Sequence, residues 1–345
     1  MSTRCVSALC VIVFFLLSEC AVGASAPPVT ELLDKYTQAL DATQSFTDTY
    51  TEVCDYSYRM PDGSTAANAK RFARGQHRAD GTRLYMQDYY WGDVNPQLMD
   101  LPESDCRYHL RIEAGERLYS HSAAVNDPRV KGSAGLQHVY RERAAVTKGP
   151  HSGIYGYLGS EERLDAVLRS AREISMRPAT ETINGIACHV IDAGTQCGRY
   201  TVWLDPAHGY HAAKVTRQAT GGDKENEWLM ARGDQARGSV VITRFEQIGG
   251  VWVPMEADQQ TAYTSGALFR REHGQYKRAN IVLNPDHDKL GSFDNPLEHP
   301  ANDPELKNGT RVHIIEAGAI KVKGFWQDGK IVDASGKAVD IQASK

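Results

Sequence analysis

The sequence predicts an α+β protein that is mostly β. Three observations support this: long segments in which apolar and polar residues alternate, short turn motifs between them, and 30 Gly and 16 Tyr among 345 residues. A period of two places alternate side chains on opposite faces of a strand. Two segments have the spacing of an amphipathic helix instead. We therefore expect an antiparallel sheet with two main helices.

The first half of the chain begins with a helix at Pro28–Asp41, where apolar residues recur at spacings of three and four. The pattern changes to alternation over Ser45–Arg59, which predicts a long strand. Turn motifs rich in Gly, Asp and Pro then separate shorter alternating segments. The strands predicted among them are Lys70–Arg78, Arg83–Trp91, Arg107–Glu113 and Glu116–His121.

The second half begins with a helix at Ser160–Arg172 and then returns to strands. Asn184-Gly185 is a pair that two-residue hairpin turns prefer, and Asp205–Gly209 predicts another turn. Glycines separate the later strands. The predicted strands are Glu173–Arg177, Ile186–Asp192, Gly198–Leu204, His211–Gln218, Ser239–Gln247, Val251–Thr264, Ala267–Glu272 and Gln275–Asn284.

Domain boundaries follow from changes in composition. Residues 285–308 hold prolines among Asp and Asn, which is typical of a linker. Residues 309–345 contain short alternating segments and predict a small C-terminal β appendage. The predicted organisation is a signal peptide at 1–24, a main domain at 25–284, this linker and this appendage.

The first 24 residues have the layout of a signal peptide. Arg4 precedes a short apolar run, and Val22 and Ala24 occupy the −3 and −1 positions of a cleavage site. Cys20 follows a leucine at the spacing of a bacterial lipobox, so lipid anchoring through Cys20 is one alternative. An uncleaved anchor helix is the other. We expect the protein to be exported.

Four cysteines would remain after cleavage: Cys54, Cys106, Cys188 and Cys197. An even number in an oxidising compartment favours disulfides, although four cysteines allow three pairings. A hairpin turning at Asp192-Ala193 would make Cys188 and Cys197 cross-strand partners. We predict that bridge, with Cys54–Cys106 as the second one. The alternative is that the thiols are buried as small apolar side chains.

Composition and motifs argue against several functions. The 39 basic and 43 acidic residues give a net charge of −4, which is not typical of a nucleic-acid-binding protein. The sequence lacks a nucleophile elbow, a P-loop and a dinucleotide-binding glycine motif. His208 and His211 lie around a predicted turn without the acid of a zinc-protease motif. We expect no catalytic residue, metal, cofactor or nucleic-acid partner.

Two passages of the main domain are similar to sequences of one known family. They are ELLDKYTQALDATQSFTDTYT at Glu31–Thr51 and INGIACHVID…GRYTVWLDPAHGYHAAKVTRQ within Ile183–Gln218. They resemble the bacterial LolA/LolB-like outer-membrane lipoprotein-sorting carriers, whose relatives include periplasmic sigma-factor regulators. The resemblance covers residues 28–284. It implies a location in the periplasm or cell envelope, and a strongly curved, unclosed antiparallel half-barrel with both helices over its concave face and an apolar cavity for acyl chains.

Aromatic side chains on two predicted strands are the candidates for contact with such a ligand: Phe46 and Tyr50 on one, and Tyr85, Tyr89 and Trp91 on another. Their rings can bury apolar ligand surface while their polar tips reach water or head groups. Ordinary core packing is the alternative. We predict a non-enzymatic protein that binds a lipid acyl chain or a lipoprotein. The alternative function is a structural or signalling module of the envelope whose sheet contacts a partner protein without a ligand.

Overall fold

The computed structural model describes residues 27–59, 65–92, 106–124, 132–138, 152–225, 228–316 and 319–339. The predicted signal peptide and Cys20 lie outside these residues. The described part contains the α-helices α1 (Val29–Ala42) and α2 (Leu164–Arg169), and short 3-10 helices at Ser152–Tyr155, Pro206–His208 and Pro300–Asn302.

Strands make up most of the described chain. They are β1 (Ser45–Arg59), β2 (Thr65–Asp80), β3 (Leu84–Gly92), β4 (Arg107–Ala114), β5 (Arg117–Ala124), β6 (Ser133–His138), β7 (Glu173–Met176), β8 (Glu181–Ile183), β9 (Ile186–Thr195), β10 (Gly198–Asp205), β11 (His211–Thr220), β12 (Lys224–Glu225), β13 (Trp228–Leu229), β14 (Gln235–Ile248), β15 (Val251–Ser265), β16 (Leu268–Leu283), β17 (Arg311–Glu316), β18 (Ala319–Gln327) and β19 (Lys330–Val332). The prediction of a mostly β protein is confirmed.

One sheet contains 17 of these strands, and β12 pairs separately with β13. Both β7 and β8 pair with β9 at one edge. From there the order is β9, β10, β11, β14, β15, β16, β1, β2, β3, β4, β5, β6, β17, β18 and β19. The pair β6–β17 is parallel and the other pairs are antiparallel.

The helices cover one face of the sheet, which we call the helix face. The apolar stripe of α1, for example Leu32 and Tyr36, is buried together with Leu168 of α2. They pack on side chains such as Tyr200 and Val240, which point inward from β10 and β14. This core extends across the sheet from β9 to β1. Burial of each large apolar side chain contributes roughly 1.5–3 kcal/mol.

The second core lies on the opposite face. Cross-strand partners share a face, so Tyr50, Gly75 and Asp88 are all on the helix face because they pair across β1, β2 and β3. Tyr85 lies on the same strand as Asp88, an odd number of residues away, and therefore points to the opposite face. There Tyr85 joins a buried cluster from β4 to β6 and β17 to β19. The sheet is thus covered on the helix face up to β1 and on the opposite face from β3 onward.

Residues 285–308 provide the cover of this second core. Phe293, Leu297 and Leu306 are buried against the opposite face, so the predicted linker is packed onto the sheet over this stretch. The strand β17 then pairs with β6, so the C-terminal strands continue the same sheet rather than forming a separate appendage. The other predicted domain boundaries stay predictions.

The strongly curved half-barrel with two main helices is not what the structure shows. The sheet is broad and not strongly curled, and its two covers lie on opposite faces, so no single concave side encloses both. Only α1 is a substantial helix, because α2 has six residues. The segment after α2 joins the sheet instead, since Arg172 N–H donates to the carbonyl of Gly194 at 2.9 Å.

The predicted disulfide between Cys188 and Cys197 is wrong because the hairpin turns elsewhere. Thr195 pairs with Gly198, so the turn lies at residues 196–197 rather than at Asp192-Ala193. Cys197 is therefore in the turn itself. Cys188 lies seven residues before Thr195, about 23 Å along the strand, which no disulfide can span.

The predicted bridge between Cys54 and Cys106 is also wrong. Cys54 lies on the helix face, because it is an even number of residues from Tyr50 on β1. Cys106 packs with Phe72 and Trp91 on the opposite face. All four cysteines are free and buried, and burial raises the pKa of Cys54 and of Cys188 to about 11.

Candidate functional site

An open groove of about 500 Å³ crosses the opposite face where β16, β1, β2 and β3 lie side by side. This volume is within the usual range of small-molecule sites, about 300–1,000 Å³. We call it the central groove. It is lined by Thr49, Tyr50, Thr51, Arg74, Gly75, Gln76, Gln87, Tyr89, Lys277, Arg278 and Ala279.

The register of the strands forms this groove. One cross-strand row contains Lys277, Thr51, Arg74 and Tyr89, and the next contains Ala279, Thr49, Gln76 and Gln87. The small side chains of Thr49, Thr51 and Ala279 therefore make the floor along β1 and part of β16. Longer side chains stand on both sides of it, which leaves a depression in the sheet surface.

Tyr89 marks one wall of the groove. It is half-buried, and its hydroxyl is 3.5 Å from Glu305 Oε1 in the segment that covers the second core. Its ring also lies 5.2 Å from the ring of Tyr108 within that core. Tyr89 is thus the border between the covered and the open part of the opposite face.

The five aromatic candidates do not line one cavity. Phe46 and Tyr50 are buried on the helix face, where the ring of Tyr50 stacks on His77. Tyr85 is inside the second core, and Trp91 packs against Phe72 beside the groove. Of the five, only Tyr89 has its side chain in the groove wall. Tyr50 borders the floor of the groove, although its side chain points to the helix face. Ligand contact at the five stays a prediction.

Apart from Tyr50 and Tyr89, the groove residues were not predicted from the sequence, among them Thr49, Thr51, Arg74, Lys277 and Ala279. They alternate with buried neighbours, as surface residues of any strand do. Only the pairing of β1 with β16, which lie more than 200 residues apart in sequence, brings them together.

The space beneath α1 does not provide the expected acyl cavity. Leu32, Leu33, Tyr36 and Leu40 fill it together with the strand residues of the first core. A cavity of about 30 Å³ lies near Leu40, Phe46 and Tyr155. That is room for about one water molecule rather than a lipid chain. The space between α1 and the sheet is therefore closed to an acyl chain.

Directly behind the groove, a buried polar cluster crosses the helix face. Arg278 Nε donates to Asp48 Oδ2 at 2.6 Å, and Tyr155 donates to the same oxygen at 3.1 Å. The hydroxyls of Tyr155 and Tyr276 are 2.9 Å apart, and His77 Nδ1 lies 3.1 Å from the Tyr155 hydroxyl. We call these five residues the Asp48 cluster. It connects β1, β2 and β16 below the floor of the groove.

The Asp48 cluster stabilises the ionised form of Asp48. Burial opposes ionisation of Asp48, yet Arg278 and the hydrogen bond from His77 outweigh it, so the pKa of Asp48 is below its ordinary value. Burial raises the pKa of both Tyr155 and Tyr276 well above the usual range. The guanidinium of Arg278 also lies 4.7 Å from the ring centres of Phe46 and Tyr155. The charges of Asp48 and Arg278 thus balance each other, and the cluster has a structural role.

A second buried network holds the covering segment in place. Asp303 accepts hydrogen bonds from Tyr108 at 3.0 Å and Tyr119 at 2.6 Å, and His121 Nδ1 lies 2.8 Å from its Oδ2. The side chains of His121 and Asp303 have no exposed surface. We call these four residues the Asp303 cluster. It fastens residues 285–308 to β4 and β5.

The histidines of the turn at Asp205–Gly209 have structural partners. Asp205 accepts from the backbone N–H groups of Ala207 and His208, and its Oδ2 lies 2.6 Å from His208 Nδ1. His211 Nε2 donates to the carbonyl of Trp252 at 2.8 Å, and burial lowers the pKa of His211 to about 4. The described residues contain no group of three or more side chains placed to hold a metal. None of the described helices has the length and apolar composition needed to cross a membrane.

Comparisons with known proteins give only distant similarity. Neither protein-family models nor curated proteins match the chain. A DUF1329 family protein from Desulfovibrio piger is 15% identical, with 81% of this chain and 100% of that chain covered and a TM-score of 0.38. MucB, solved in complex with MucA(peri), is 10% identical, with 75% and 100% covered and a TM-score of 0.23. Similarity this distant assigns no function to the chain.

Proposed function

We propose that this chain is an exported cell-envelope protein, similar to the LolA/LolB-like carriers, that binds the acyl chain of a lipid or lipoprotein without catalysing a reaction. The central groove is the observation that supports this proposal. It is an open depression of about 500 Å³ lined by residues of four adjacent strands. Its position differs from that implied by the resemblance, because it lies on the face opposite the helices.

The energetics of a groove of this kind suit an acyl chain. Burial of each methylene contributes about 0.8 kcal/mol, so a long chain offsets the cost of association. The methyl groups of Thr49 and Ala279 and the ring of Tyr89 provide apolar contact surface. The Asp48 cluster stabilises the three strands of the floor from behind, so little ordering is needed when a ligand binds.

One observation favours the alternative function, a module that contacts a partner protein. Ile320 and Phe325 on β18, near the sheet edge, are 59% and 38% exposed. Exposed apolar residues of this size are typical of contact surfaces when they cluster. The two lie on the same face of the strand, because a register shift after Ile320 offsets their odd spacing: Ile320 pairs with Ile315 and Phe325 pairs with Arg311 on β17. The central groove is the stronger feature.

Binding in the groove should depend on acyl chain length and on groove volume. We expect calorimetric titration with carboxylates of 8, 10, 12 and 14 carbons, below their micelle concentrations, to show affinity rising about threefold to fourfold per methylene. Ala279→Trp fills the floor and should weaken binding of the 12-carbon ligand at least tenfold. The matched control is Ala262→Trp, on the same face of β15 but outside the groove.

Thermal unfolding of both variants checks that the fold is retained. Equal binding by Ala279→Trp and the wild type would place the ligand elsewhere. If no chain length binds saturably to the wild type, the acyl-binding proposal is wrong and the partner-contact function becomes the better one.

A further inference from the structure

One cross-strand row of the groove has a cation on each side of a hydroxyl. Lys277, Thr51 and Arg74 are direct neighbours on β16, β1 and β2, and all three point to the opposite face. Adjacent strands are about 4.8 Å apart, so the two cationic residues start about 10 Å apart. Both have long, flexible stems. Their charged ends can therefore approach one anion above Thr51.

The charge balance of this row is positive. Lys277 Nζ lies 3.3 Å from Glu256 Oε2; Glu256 also accepts from Arg244 Nε at 2.9 Å, and Arg244 has Glu246 as a second acid partner, so the excess positive charge of the row comes from Arg74. Arg74 is exposed, and its guanidinium lies 5.3 Å from the ring centre of Trp91. No carboxylate of the described chain forms an ion pair with Arg74.

The other acids nearby do not neutralise Arg74. Glu52 and Asp88 belong to the helix face, so the sheet separates them from it. Glu305 is next to Tyr89 but lies 2.6 Å from Lys307 Nζ. The row thus offers one cation that is free of an acid partner and one that shares its partner.

Among the described residues on its β16 and β1 side, the groove has no further charged side chain in the direction of Ala279 and Val282. Ala279 and Thr49 follow in the next row, and Val282 lies beyond them opposite Thr47. Val282 is 52% exposed and provides apolar surface at this end of the groove. A ligand with one anionic end and one apolar chain matches this polarity.

We propose that the ligand of the central groove is a single-chain fatty acid, whose carboxylate binds between Arg74 and Lys277 above Thr51 and whose chain runs toward Val282. This inference rests on the proposed acyl-binding function and adds the chemistry of the head group. Arg74 makes the main contribution, because a guanidinium pairs with a carboxylate through two parallel hydrogen bonds.

The test compares three ligands with the same 12-carbon chain: dodecanoate, dodecan-1-ol and dodecyltrimethylammonium. In calorimetric titrations at low ionic strength, we expect dodecanoate to bind about fivefold to tenfold more tightly than the alcohol, and the cation to bind most weakly. Added salt should reduce this preference, because the head-group site is open to solvent.

Arg74→Gln should remove most of the preference for dodecanoate while the affinity for dodecan-1-ol stays the same. Arg237→Gln is the matched control, since Arg237 is an exposed arginine on the same sheet face at β14, away from the groove. Unfolding curves of both variants show whether the fold is intact.

The outcomes separate the two proposals. If the alcohol and the carboxylate bind the wild type equally, the head-group inference is wrong and acyl binding stands. A preference that survives in Arg74→Gln also overturns the inference. If none of the three ligands binds, the proposed function itself is wrong.

Discussion

Replacing Asp303 by alanine should lower the free energy of unfolding by about 3–5 kcal/mol. The variant leaves the buried hydroxyls of Tyr108 and Tyr119 and the ring nitrogen of His121 without their acceptor. Burial of an unpaired polar group costs about 1–3 kcal/mol for each group, and partial relaxation reduces the sum. The covering segment should also lose its attachment to the sheet, since Asp303 is its buried anchor.

Urea denaturation followed by far-UV circular dichroism measures this effect. Asp294→Ala is the matched control, because Asp294 is an exposed carboxylate in the same segment. We expect the control to remain within about 0.5 kcal/mol of the wild type. A loss below about 1 kcal/mol for Asp303→Ala would mean that the segment is held mainly by its apolar contacts.

Replacing Asp48 by alanine should have a similar effect, about 3–5 kcal/mol, because it leaves the buried guanidinium of Arg278 without its carboxylate. The contribution of Asp48 should also depend on pH. Its pKa is lower in the folded protein than in the unfolded chain, so the stability it provides is complete above about pH 4. That stability is lost as pH falls through the folded pKa.

Urea denaturation at several pH values tests both points. The difference between the wild type and Asp48→Ala should be constant from pH 5 to pH 7 and should shrink below pH 4. The control is Asp55→Ala on the same strand, whose carboxylate is exposed and 3.3 Å from Lys70 Nζ. It should cost less than about 1 kcal/mol. A pH-independent difference for Asp48→Ala would show that packing, not charge, is what the aspartate contributes.

Local patterns in the sequence predict much of this fold. The alternation over Ser45–Arg59 gives β1 with its observed bounds, and the first helix is shifted by one residue at each end. Single glycines were less informative. Gly274 predicts a break between two strands, yet β16 runs continuously through it, because the glycine lies opposite Cys54 within the sheet. Strand pairing tolerates such a residue where a neighbour packs closely.

Long-range arrangement could not be predicted in the same way. The face of each strand is readable from its alternation, but the partner strand is not. The central groove depends on β16 lying beside β1, and the Asp303 cluster depends on a proline-rich segment folding back over β4 and β5. The proline and aspartate content that suggested a linker instead provides turns and one buried anchor.

Photo-crosslinking with a fatty acid that carries a diazirine in the middle of its chain tests the central claim most directly. Peptide mapping by mass spectrometry then locates the adducts. We expect them on residues 47–51, 74–76 and 277–282, which meet at the central groove, and we expect excess dodecanoate to suppress them. Saturable adducts on α1 or on the strand residues beneath it would place the ligand on the helix face and would contradict this account.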